Sequence, residues 1–270
     1  MMKKIIFLLL FSLSLNIQLH AGEYGPAQKE KVEMTDSLRI LWIGNSYTYF
    51  NDLPEMVKSI ASSKKMKLST TRIVKGGARF SGHLTNKRLL ALLAEKKWDY
   101  VVLQEQSANP AKPTDLVQKE VYPYAQKLCE LIRKTSPEAH IIFYMTWGHK
   151  YGNLQTVENY PLIDNYEGMQ ERLKTSYLEM AYQNNAWCAP VGMAWKKVRE
   201  ERPTCVLYQP DMSHPSVAGS YLAANVIFTT IYQKRYQTSF LAELSEEEAE
   251  YLQQAAMETV LNNMMMLNIK

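Results

Sequence analysis

Ser46 stands three residues beyond a short apolar run, Ile40–Ile43, and is reached through Gly44 and Asn45. A serine on a tight turn at the carboxyl end of a strand is where an α/β fold presents a nucleophile. Glycine lets the backbone turn, and the amides that follow point toward substrate. A hydroxyl needs a base, an acid to orient that base, and donors for the developing oxyanion. The segment Gln209-Pro210-Asp211-Met212-Ser213-His214-Pro215-Ser216 supplies the first two, just ahead of a helix for which Ser216 is a suitable N-cap. Asp211 can hold one imidazole nitrogen of His214 and leave the other facing a serine, although the same spacing also suits a capping turn.

Two further blocks offer oxyanion donors. Val74-Lys75-Gly76-Gly77-Ala78-Arg79 reads either as a plain turn or as a loop whose glycine amide lies beside Ser46. Gln104-Glu105-Gln106-Ser107-Ala108-Asn109 puts uncharged amide side chains at the end of another strand, with Gln104, Gln106 and Asn109 all eligible. A fifth block, Thr146-Trp147-Gly148-His149-Lys150-Tyr151, carries an indole and two groups able to hold positive charge. Trp147 either stacks on a sugar face or packs beneath its own loop. His149 and Lys150 either contact an acidic sugar or are solvated. His83 reads as helix-associated, and Met264–Met266 as flexible core filler.

The elements that must position these residues alternate along the chain. Strands are expected at Leu38–Ile43, Leu68–Val74, Asp99–Leu103, His140–Met145 and Ala186–Val191. Helices are expected at Pro54–Lys65, Leu84–Glu95, Leu116–Thr135, Tyr166–Gln183, Ser216–Tyr232 and Glu246–Met266. Such alternation implies an α/β fold of three layers, α/β/α, around a five-stranded parallel sheet. Ligands of such sheets bind at the carboxyl ends of the strands, where every block above falls.

Residues 1–21 read as a secretory signal peptide, with Lys3 and Lys4 ahead of the apolar run Ile5–Leu15 and a small residue, Ala21, at its end. The run is shorter than the roughly 20 apolar residues of a membrane span. The mature chain is therefore expected to be secreted or periplasmic and to lack a membrane span, with a polar leader at 22–36 and one domain at 37–270. Removing Lys3 and Lys4, and no acids, lowers the formal charge of +4 by two. That near-neutral balance argues against nucleic acid as a partner. Cys129, Cys188 and Cys205 fit neither a metal site nor a disulfide framework; the first two read as buried thiols, and a single bridge stays open with its pair undecided. No metal cluster and no cofactor is expected.

Taken in order, the serine, glycine, amide and Asp-x-x-His blocks resemble those of the SGNH/GDSL hydrolase superfamily over essentially the whole chain after residue 21. The resemblance implies a flavodoxin-like fold with Ser46 as nucleophile, His214 as general base and acid, and Asp211 as its orienter. It implies an oxyanion hole from the amides of Ser46 and Gly77 and the side chain of Gln104 or Gln106. Asn45 stands where the family carries Asp. Gln104-Glu105-Gln106-Ser107 replaces Gly-x-Asn-Asp and looks like the Gln-Gly-Glu-Ser variant of the sialate and xylan acetylesterase branch. Asn45, Trp147 and His149 are the expected substrate contacts. The expected activity is a serine esterase removing acetyl or similar small acyl groups, most simply from an acylated carbohydrate. A lipid esterase or thioesterase is the alternative enzyme, and a glycan-binding protein on the same scaffold the non-catalytic one.

Overall fold

The computed structural model describes residues 37–153 and 160–270. The expected signal peptide and polar leader lie outside the described residues. In chain order the elements are β1 (Leu38–Gly44), α1 (Ser46–Tyr49), α2 (Leu53–Ser63), β2 (Leu68–Val74), α3 (Phe80–His83), α4 (Lys87–Glu95) and β3 (Tyr100–Leu103). They continue as α5 (Thr114–Glu120), α6 (Tyr122–Thr135), β4 (His140–Tyr144), α7 (Tyr166–Gln183), β5 (Trp187–Ala189), α8 (Val191–Glu201), α9 (Val217–Tyr232) and α10 (Glu246–Leu261). Short 3-10 turns at Phe50–Asp52, Asn109–Ala111 and Pro161–Ile163 join them.

The five strands form one parallel sheet in the order β2-β1-β3-β4-β5. Strands covered on both faces must be apolar throughout, and Ile40-Leu41-Trp42-Ile43 is wholly buried. One helical layer packs α2 on α9, with α8 and α10 on α9; the other packs α4 on α6 and α6 on α7. Helix α9 is apolar around nearly its whole circumference, as a helix enclosed by α2, α8 and α10 must be. The chain leaves β1 for β2 on one side and returns to β3 on the other. A crevice therefore opens between the carboxyl ends of β1 and β3, the place such folds bind ligands.

Several boundaries differ from expectation for local reasons. The helix expected at Leu116–Thr135 breaks at Val121, which leaves helical geometry (φ −123°, ψ −60°). Pro123 then sits in the first turn of α6, where its missing N–H costs nothing. Helix α4 starts at Lys87, where the Asn86 side chain caps Leu89 N at 3.1 Å, and not at Leu84. Helix α8 lies where no helix was expected; β5 is short, and Pro190 at its end leads straight into that helix. Helix α10 stops at Leu261, so Met264 and Met266 pack against the core while Met265 is exposed. All three cysteines are free, with Cys129 and Cys188 buried. No helix among the described residues is long and apolar enough to cross a membrane.

Candidate active site

The turn carrying Ser46 is held from below. Gly44 is required for space: a Cβ there would stand 2.4 Å from Thr48 Oγ1 and 2.8 Å from Gln104 Oε1. Asn45 is buried, and its Oδ1 caps α1 by accepting from Tyr47 N at 3.2 Å. Its Nδ2 donates to Ala78 O at 3.1 Å and Glu105 O at 3.3 Å, tying the serine turn to the glycine loop and to the loop after β3. A carboxylate has no N–H for those two carbonyls, which gives the asparagine a physical reason. These bonds also correct the expectation that Asn45 contacts substrate: it is a buried staple.

The imidazole of His214 approaches from the other side. His214 Nε2 lies 2.9 Å from Ser46 Oγ, and Nδ1 lies 2.5 Å from Asp211 Oδ2. The second oxygen of Asp211 accepts from the amides of Ser213 at 3.0 Å and His214 at 2.9 Å. One oxygen of Asp211 thus caps this turn while the other meets the imidazole. Burial raises the Asp211 pKa, but the hydrogen bonds from His214 and those two amides outweigh it and hold the carboxyl below its ordinary value. An ionised Asp211 fixes the proton on Nδ1, so Nε2 accepts from the serine hydroxyl. Met212 takes a left-handed conformation (φ 61°), held by its amide on Gln209 O and by Lys150 N on its carbonyl.

Aromatic rings fix the imidazole. Phe50 stacks on His214 at 4.3 Å, and Tyr47 meets its edge at 5.5 Å. Tyr47 shares a hydrogen bond with Ser213 Oγ at 2.6 Å. Trp147 lies between Tyr47 (4.5 Å) and Trp195 (3.7 Å), and its Nε1 donates to Ser213 O at 3.0 Å. Trp147 is wholly buried, so it packs under its loop and supports the base instead of stacking on a sugar. His149 is half-buried beside Asp211 and His214. Burial pushes its pKa down.

The loop after β3 corrects the oxyanion assignment. Gln104 is wholly buried; its Oε1 accepts from Asn45 N at 3.0 Å and Thr48 Oγ1 at 2.9 Å, and its Nε2 is bonded to Glu105 O. Gln106 Oε1 caps the next turn by accepting from the amides of Ala108 and Asn109, both at 2.9 Å. The Nε2 of Gln106 lies 3.3 Å from Ser107 Oγ, and the buried Asn109 side chain donates to Glu105 Oε1 at 3.4 Å. These amides build the floor of the site. The amides of Ser46 and Gly77, the backbone donors expected from the sequence, make no hydrogen bond to another described residue. Gly77 has φ +65° in the turn closed by Ala78 N on Lys75 O, a conformation glycine adopts without strain.

Two floor residues have positions under the site that the sequence did not indicate. Glu105 is wholly buried, accepting from Phe80 N at 2.8 Å and Gln106 N at 2.7 Å as well as from Asn109. Burial pushes its carboxyl up to about 7, against the pull of those bonds and of Arg79. His83 is buried with Nε2 3.0 Å from Gly44 O. Burial lowers its pKa, so the neutral ring donates to that carbonyl. The available signal was a lone acid at the end of an apolar strand. Among the described residues no group of three or more His, Cys, Asp or Glu side chains is placed to hold a metal ion.

No protein-family model matches the sequence, and no curated protein does. Solved structures do. A DUF4886 family protein from Bacteroides uniformis shares the fold at a TM-score of 0.69 and 18% identity, over 84% of this chain and 95% of that one. An acetylxylan esterase from Geobacillus stearothermophilus does so at 0.51 and 18%, over 75% and 97%. A protein of Slackia heliotrinireducens assigned to the SGNH hydrolases is 30% identical, with a TM-score of 0.59, over 73% of this chain and 100% of that one. With that identity across the whole of a relative, and with the α/β/α sheet fold, the chain belongs to the SGNH hydrolases.

Proposed function

We propose that this chain is an exported serine esterase that removes small acyl groups, acetyl first among them, from carbohydrates. The observation that carries the reading is the continuous line Ser46 Oγ, His214 Nε2, His214 Nδ1, Asp211 Oδ2, with separations of 2.9 Å and 2.5 Å at its two hydrogen bonds. His214 takes the serine proton as Ser46 Oγ attacks the acyl carbon. The amides of Ser46 and Gly77 hold the oxyanion. The tetrahedral intermediate collapses as His214 returns the proton to the leaving sugar hydroxyl. Water, activated by the same imidazole, then hydrolyses the acyl-enzyme. Export rests on residues 1–21, and the carbohydrate preference rests on the acetylxylan esterase that shares the fold.

The test is acetate release from acetylated xylooligosaccharides by wild type and Ser46→Ala. Loss of turnover by about 10³-fold or more in the variant, with loss of labelling by a fluorophosphonate, is expected. Equal activity of the two proteins would overturn the reading.

A further inference from the structure

With Trp147 buried, no indole at the site is open to a sugar, yet the turn that carries Ser46 presents another ring. Along α1 the side chains of Tyr47 and Thr48 point into the protein, Ser46 is half-buried, and Tyr49 is 37% exposed. Residues three apart on a helix share a face, so Tyr49 stands on the same side as the nucleophile. Its ring is propped by Phe50 at 5.8 Å and an interplanar angle of 28°, and Phe50 in turn lies on His214. The Tyr49 hydroxyl reaches toward the glycine loop, where even a Cβ at Gly76 would come within 3.4 Å of it. Of the other exposed tyrosines, Tyr182 is tied to Met265 O at 2.9 Å and Tyr151 belongs to the loop after β4.

We propose that Tyr49 is the sugar-binding wall of the site. It packs against the C–H face of the pyranose whose acyl ester is presented to Ser46, a proposal that rests on the carbohydrate reading above. A ring already held on one side by Phe50 loses little freedom when a sugar covers the other. The wall joins the nucleophile turn to the glycine loop, so a sugar lying on it has its ester between Ser46 and the Gly77 amide.

The experiment compares Tyr49→Ala, Tyr49→Phe and wild type on acetylated xylooligosaccharides and on vinyl acetate, which has no ring to stack. Tyr49→Ala should raise KM for the sugar about tenfold and leave kcat within about twofold. Its kcat/KM on vinyl acetate should fall no more than about twofold, the change allowed in kcat, and Tyr49→Phe should keep the wild-type KM for the sugar. Equal losses of Tyr49→Ala on both substrates, or no loss on either, would overturn the proposal and leave the esterase reading intact. A wild type active on vinyl acetate but on no acetylated sugar would instead overturn the carbohydrate reading on which the wall depends.

Discussion

Asp211 and His214 reach Ser46 from the open side, with half of the Asp211 side chain in water, whereas Gln104 and Glu105 lie under the same serine fully enclosed. The exposed pair makes a single line of contacts to the hydroxyl. The buried pair makes a web: Gln104 accepts from Asn45 and Thr48, and Glu105 accepts from Phe80, Gln106 and Asn109 while its carbonyl receives Asn45. Groups that must exchange protons need access to water and substrate. Groups that set the geometry gain strength from burial, because an unpaired polar atom there is costly and every partner is therefore held. Under the proposed esterase reading, chemistry and positioning fall on opposite sides of one residue.

Changes on the two sides should separate kinetics from stability. Asp211→Asn acts on the open side: an amide can no longer fix the proton on Nδ1, and kcat should fall by about 10²–10⁴-fold. Because Asp211 is half exposed, its melting temperature should stay near that of wild type in calorimetry. A large loss of stability would break the comparison. Asn45→Asp acts on the floor. It removes both donors to the Ala78 and Glu105 carbonyls and sets a carboxylate in a buried site, so Tm should drop by about 10 °C, from a cost of about 3 kcal/mol or more. Retention of Tm would show that the staple is dispensable.

The smallest effect is a pH dependence. Glu105 has a folded-state pKa near 7 against an ordinary value of 4.5, so the folded protein holds this proton more tightly. The contribution of Glu105 to stability is complete below pH 4.5 and declines as pH rises through 7. The decline is at most about 3 kcal/mol, a Tm slope that Glu105→Gln should flatten even as its amide, set against backbone N–H donors, lowers Tm overall. An unchanged slope in the variant would assign the titration elsewhere.

The open side was readable in the chain, and the floor was not. Asp211 and His214 are three residues apart between prolines, so their meeting is a local event. Strand periodicity likewise placed the sheet, because buried parallel strands are apolar runs. By contrast, whether Gln104 faces the oxyanion or the underside of Ser46 depends on how β1 and β3 pair, and Gly44, by having no side chain, makes the room that Gln104 fills. Trp147 went astray for the same reason. Its indole is covered by Trp195 from α8, a helix that the residues beyond Pro190 had not signalled. Helix α9 was legible from its length, and the helix expected at Leu116–Thr135 is split at Val121 into α5 and α6.

The bonds that bring the Asp211–His214 segment onto the serine turn join distant parts of the chain. Ser46 meets His214 across 168 positions, and Tyr47 meets Ser213 across 166. Asn51 sends its amide to Pro215 O, Ser216 O and Ser220 Oγ across 164 to 169. A partly folded chain, with β1 and its neighbours in register, would own the serine turn and have no base for it. Hydrolysis can therefore recover during refolding only once residues 211–214 have docked on the serine turn.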